Sequence, residues 1–148
     1  MSRVKITFPD NFIFQYKSVI GVNMINYGGH LGNEAVLTIF QDARIAFLHE
    51  NGLSEINIGN ELGIIQSDAA IQYLSEGHLH DEITTTIAFE ITSKVSVDIY
   101  YKIELKNALK PISVGKTGMI TFNYKTNKMS QTPSSFLNLI KSKSIRIS

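Results

Sequence analysis

The stretch Asn26-Tyr27-Gly28-Gly29-His30-Leu31-Gly32-Asn33 decides how the rest of the chain is read. It packs three glycines, a histidine and two asparagines into a corner between an alternating apolar run and the longest helical pattern of the sequence. Glycine takes positive φ at low cost and lets another molecule approach the main chain. The first N–H groups of a helix have no partner inside it, and the helix dipole places positive character behind them. A corner of this kind can hold an oxyanion or a carbonyl oxygen without a metal.

Working outward, residues 12–22 alternate: Phe12, Phe14, Tyr16, Ile20 and Val22 share one face, with Gln15 and Lys17 on the other. That pattern predicts a strand. After the corner, Asn33 is expected to cap a helix reaching about Glu50. Val36, Phe40, Ala43 and Phe47 recur at helical spacing, Ile39 and Ala46 widen the stripe, and Asn51-Gly52 ends it. Ile45 and Leu48 make the helix apolar on further sides, as if a sheet and a partner both covered it. Residues 54–63 read as a short helical turn or an irregular connection. Strands are expected over 64–74, 83–92, 95–106 and 112–124, with a polar turn at 76–82 and a tight one at Ser93-Lys94. Gly115 and Gly118 suggest a bend or bulge in the last strand. Pro133 opens an amphipathic turn with Phe136, Leu137 and Ile140, and Lys141, Lys143 and Arg146 form a basic tail expected to fray. The fold class is α+β: one long central helix against a five-stranded, mostly antiparallel sheet whose other face is open to solvent.

Composition narrows the function. At 148 residues, 43% hydrophobic and 18% charged, the chain reads as one globular domain over residues 1–148. A net charge of +1 gives no general reason to expect a nucleic-acid partner. No apolar stretch is long enough for a membrane span. Met1-Ser2-Arg3-Val4-Lys5 lacks the apolar run of a signal peptide, and no Asn-X-Ser/Thr acceptor occurs. Cysteine is absent, which removes disulfides, thiolate metal sites and cysteine nucleophiles. A cytoplasmic location is expected. His78 and His80 would share a face on a strand, but no third ligand is evident, so the expectation is a solvated turn, with no metal and no cofactor.

The corner, the helix segment Gln41-Asp42-Ala43-Arg44-Ile45-Ala46-Phe47-Leu48, Tyr73-Leu74 before the turn with His80-Asp81, and the ending with Pro133 and Phe136 together resemble the hotdog-fold acyl-CoA thioesterases. The likeness is to the branch similar to 4-hydroxybenzoyl-CoA thioesterase, and it covers nearly the whole chain. It implies a helix wrapped in the sheet, a homodimer or dimer of dimers paired edge to edge, and an acyl-CoA thioester meeting the N-terminus of the long helix. It also implies backbone donors near Gly28, Gly29 and His30, each such donor supplying roughly 10²–10³ in rate. Tyr27 and Asn33 would stand beside the substrate.

One position departs from the pattern. Where the aspartate-dependent members carry a carboxylate, three residues before the glycine that precedes the histidine, this chain has Asn26. An amide cannot act as a general base. Asn26 and His30 are left to orient water or substrate, with Glu34 in the first helical turn as a replacement carboxylate, or Asp68, Glu76 or Asp81 from the sheet of this or the partner subunit. Each has a plainer reading. In it His30 is satisfied by backbone, Asn33 is a helix cap, Glu34 is a first-turn acid favoured by the dipole, and Tyr27 packs on the sheet. Asp42 and Arg44 read as surface or interface charges. Lys141, Lys143 and Arg146 could meet CoA phosphates, the alternative being the frayed tail. Two functions follow: hydrolysis of an acyl-CoA thioester, or acyl-CoA binding without catalysis. A dehydratase of the same fold is disfavoured, because the histidine loop lacks proline-rich surroundings.

Overall fold

A computed structural model describes residues 3–147; Met1, Ser2 and Ser148 lie outside the described residues, and with them part of the N-terminal stretch read above. The chain runs β1 (Asn11–Phe12), β2 (Phe14–Val19), a short 3-10 turn (Val22–Met24), α1 (Asn33–Glu50), β3 (Gly63–Tyr73), β4 (Glu82–Ile91), β5 (Ser96–Leu105), β6 (Ser113–Asn123), β7 (Lys128–Met129), α2 (Ser134–Lys143) and β8 (Ile145–Arg146). The main sheet has the order β2-β4-β5-β6-β3, every pairing is antiparallel, and short β7 adds to β6. The five long strands and the central helix agree with the expected hotdog architecture. β3 stands at the sheet edge.

Alternation makes the strands and then fills the core. Ile83 and Ile87 of β4, with Ile99, Tyr101 and Ile103 of β5, point inward and are buried. From α1, Val36, Ile39, Phe40, Ala43 and Phe47 meet them. Each large side chain so buried contributes about 1.5–3 kcal/mol. Phe40 stacks on Tyr101 at 4.3 Å, and Phe47 meets Phe14 edge-on at 5.6 Å. Ala46 is only half-buried, whereas Leu48 is buried and Ile45 exposed.

Several expectations need correction. The first strand does not reach Val22. The N–H of Ile20 donates to Asp81 O, and the 3-10 turn that follows turns Val22 out to solvent. Gly115 is no bulge: a Cβ there would collide with the Phe40 ring, so this glycine lets the helix lie close on the sheet. The register shift lies across from Gly118, between Gln66 and Asp68 on β3, and a Cβ on Gly118 would occupy the space of the Asp68 carboxylate. Of the two forms expected after Ser54, the irregular connection is the one present over residues 54–62, held by a bridge between Ser54 and Asn57. The predicted turn after Pro133 is a ten-residue helix, α2, which buries Phe136 and Ile140. The basic tail does not fray at Arg146, because β8 pairs with β1 at the opposite end of the chain. The outer sheet face is partly covered. Thr86 and Ala88 are buried, Phe8 lies 4.9 Å beneath the Lys102 ammonium, and Ile6 N–H donates to Gln72.

Candidate functional site

The glycine corner folds around one side chain. Asn26 Oδ1 accepts from the N–H groups of Gly28 (3.0 Å) and His30 (3.3 Å). Its backbone closes the same loop: Asn26 N–H donates to His30 O at 2.9 Å, and Gly29 N–H donates to Asn26 O at 3.1 Å. Gly29 has φ +86°, which is why glycine is needed there. Leu31 N–H goes to Gly77 O and Gly32 N–H to Met24 O. The loop donors assigned to Gly28, Gly29 and His30 are therefore already engaged. Asn26 locks the loop, and Tyr27 is fully exposed at its tip.

The open donors lie one step further along. Gly32, with extended backbone (φ −72°, ψ 148°), precedes the first helical residue, and no side chain caps the helix. Asn33 is thus inside α1 and not its cap. Ala35 N–H reaches Gly32 O, while helical geometry gives the N–H groups of Asn33 and Glu34 no intrahelical acceptor. The positive end of an 18-residue helix lies behind them. Glu34 is exposed, and its carboxylate folds back over Gly32; a Cβ at Gly32 would sit 2.6 Å from Oε1.

A cavity of about 240 Å³ opens at this helix end, lined by His30, Asn33, Tyr73, Ser75 and Glu76 over an apolar floor that includes Val36. Tyr73 hydroxyl donates to Asn33 O at 3.2 Å, tying β3 to the helix start. Glu34 does not line the cavity. The carboxylate that does is Glu76, whose Oε1 is 3.9 Å from His30 Nε2. Glu76 arrives there because buried Gly77 wedges the turn under the loop. A Cβ on Gly77 would lie 2.7 Å from Ile20 Cδ1, and Gly77 O holds Leu31 N–H. Beyond Glu76 come His78 (Nε2 3.6 Å away) and then Asp81, whose carboxylate accepts His78 N–H at 2.8 Å. Imidazoles and carboxylates thus alternate along the turn. His80, with φ +68°, is not in this row, and among the described residues no group of acidic, histidine or cysteine side chains is arranged to hold a metal. Asp68 stands five residues before Tyr73 on β3, about 17 Å along the strand.

The second charged centre is one the sequence did not announce. Arg44, expected at the surface, is only 4% exposed. Its Nε donates to Glu55 at 2.8 Å and its Nη1 to Tyr101 hydroxyl at 2.8 Å; Tyr101 in turn shares a hydrogen bond with Thr117. Burial works against the Arg44 charge, but Tyr101 and Glu55 outweigh it and hold its pKa above the usual arginine value. Burial raises the Tyr101 pKa, so the phenol stays neutral.

Comparison with known proteins agrees with this fold. Residues 20–140 match the model of the thioesterase-like superfamily. A search of curated protein sequences finds no match. Among solved structures, the chain is similar to Slr0204, a 1,4-dihydroxy-2-naphthoyl-CoA thioesterase from Synechocystis (16% identity, TM-score 0.78, covering 88% of this chain and 96% of that one). It is similar to SAV2348 from Staphylococcus aureus in complex with CoA (20% identity, TM-score 0.78, 96% and 87%). It is also similar to the gentisyl-coenzyme A thioesterase BH1999 (15% identity, TM-score 0.74, 86% and 99%). At these identities the structural likeness establishes the fold alone. No helix among the described residues is long and apolar enough to cross a membrane.

Proposed function

Because the chain belongs to the thioesterase-like superfamily, we propose that it hydrolyses an acyl-CoA thioester to the free acid and CoA at the N-terminus of α1. The observation that carries this reading is the uncapped helix start facing a cavity that also holds His30 and Glu76. The thioester oxygen accepts from the N–H groups of Asn33 and Glu34, where negative charge develops as water attacks the carbonyl carbon. Glu76 takes the proton from that water as the new C–O bond forms. The C–S bond then breaks, and the departing CoA sulfur takes that proton from Glu76, which returns to the carboxylate. His30, an ion-pair distance from Glu76, positions the water and the leaving sulfur. In this reading Asn26 shapes the loop and Glu34 contributes its backbone, so neither side chain performs the proton transfer. A general base at this position supplies typically 10²–10⁴ in rate.

The CoA-type substrate is supported by the fold neighbours, one described as a CoA complex and two as CoA thioesterases. The reading includes a cytoplasmic homodimer or dimer of dimers, a second copy pairing along the edge strand β3. Incubation of the purified protein with a panel of acyl-CoAs, following free thiol, tests it; no thiol release from any member overturns hydrolysis. One observation favours a second reading, acyl-CoA binding without catalysis. Asn26 holds the family carboxylate position with an amide whose oxygen is already taken by two N–H donors. Measurable acyl-CoA binding with no thiol release selects that alternative.

A further inference from the structure

A second and larger cavity, about 480 Å³, lies between α1 and the edge strand β3. It is the neighbour of the first along the helix. Asn33 lines the first cavity, and Leu37, one turn on, lines the second. Two turns from Asn33, about 12 Å along the axis, its lining becomes polar: Gln41, then Arg44 with Glu55, facing Gln66 of β3. An apolar acyl chain would gain nothing from such an end.

The hydrogen bonding there is incomplete in a specific way. Arg44 spends Nε on Glu55 and Nη1 on Tyr101. Its Nη2 has no hydrogen-bond partner among the described residues. The one sealed, unpartnered side-chain polar atom among those residues is Thr85 Oγ1, so Nη2 is not sealed, and Arg44 is among the residues that line the cavity. Glu55 accepts from Arg44 on Oε2 and from Gln41 on Oε1 at 3.3 Å, which leaves lone pairs on both oxygens. The cluster therefore offers a charged donor and a charged acceptor side by side, with charges that cancel. A terminal carboxylate on a ligand would be repelled by Glu55, and a cation by Arg44. A neutral group that both donates and accepts satisfies both, and charge-assisted hydrogen bonds are the strong ones.

Resting on the hydrolase or binding reading of the first cavity, we propose that Arg44, Glu55 and Gln41 form a specificity site for an acyl group whose far end carries an uncharged hydroxyl. The hydroxyl donates to Glu55 and accepts from Arg44 Nη2 or Gln41. A methyl terminus leaves both groups unpaired.

The test uses carba-CoA analogues, in which a methylene replaces sulfur so that hydrolysis cannot occur. They are prepared as a length series in matched pairs ending in methyl or in hydroxyl, and binding is measured by calorimetry on the full chain. At the length that reaches the cluster, the hydroxyl-ended analogue is expected to bind about 10- to 100-fold tighter than its methyl partner, and a carboxylate-ended one no tighter than methyl. Gln41→Leu and Glu55→Gln are expected to shrink that ratio. Gln41 is exposed, so its variant keeps the fold even if a change at Glu55 does not. Equal binding of the two members at every length overturns the proposal. So does a ratio unchanged in Gln41→Leu, or a Gln41→Leu effect confined to self-association, which would mean that a second copy fills the cavity. Discrimination without thiol release from true thioesters fails hydrolysis and leaves this site standing. Thiol release without discrimination fails this site alone, and no binding by any analogue sinks both.

Discussion

The two ends of the α1 story differ in how completely their polar groups are used. At the middle of the helix, Arg44 Nε and Nη1, Glu55, Tyr101 and Thr117 bond one another and leave only Arg44 Nη2 and spare Glu55 lone pairs over, and Phe40 lies flat on Tyr101 over a glycine. At the N-terminus, the loop's N–H groups are already taken, yet the first helical N–H groups have no side-chain cap, and a partly exposed histidine and an exposed carboxylate stand beside them. A chain that bonds a buried arginine this fully could also cap a helix with a serine in place of Gly32, at a gain of about a few tenths of a kcal/mol. Leaving that end open gives up stability in exchange for a place to put a ligand oxygen. The contrast separates a cluster whose bonds mainly hold the fold from a helix end whose donors are left for a ligand.

The contrast can be broken from either end. Arg44→Met should cost about 3–5 kcal/mol in urea unfolding, because Glu55 is left with an uncompensated charge and Tyr101 loses a donor. A loss under 1 kcal/mol would mean that the middle of the helix is not the structural region. Gly115→Ala should cost about 1–3 kcal/mol, since the added methyl displaces the Phe40 ring. At the open end the stability effects shrink. Asn26→Ala removes the acceptor of two loop N–H groups and should cost about 1 kcal/mol, while lowering turnover more than stability. Asn26→Asp keeps both acceptors and the loop, and a large gain in thiol release there would show that a base at position 26 is what this chain lacks. Glu34→Ala should change stability by no more than about 0.3–1 kcal/mol, the worth of a first-turn acid on the dipole, and should leave turnover within a few-fold of wild type. A collapse of turnover in that variant would return the catalytic carboxylate to Glu34.

The architecture was legible because it rests on local periodicity. The alternation of Ile83 to Ile91 and Val97 to Leu105, and the spacing of Val36, Phe40, Ala43 and Phe47, each report a face without reference to the rest of the chain. The parts that were not legible depend on distant partners. Arg44 reads as a surface charge until Tyr101, 57 residues on, supplies its acceptor. The tail reads as frayed until residues 11–12, at the other end of the chain, pair with it. At the site, the glycine corner was visible but its hydrogen bonding was not, because nothing in the spacing says that the Asn26 side chain will turn inward and take two N–H groups. Glu76 lies in a turn without periodicity, where it was one of three acidic residues of equal standing. Buried Gly77 beside it was the available signal, since a glycine there allows the close approach that brings the turn against the loop.

The central claim is that Glu76 acts on water beside the open start of α1. The most direct test is free-thiol release from an acyl-CoA by the wild-type protein and by Glu76→Gln, with acyl-CoA affinity measured on both. The account predicts measurable turnover in the wild type and a fall of about 10²-fold or more in the variant, with affinity and unfolding midpoint little changed. Undiminished turnover in Glu76→Gln, or no turnover in the wild type with any acyl-CoA, would contradict it.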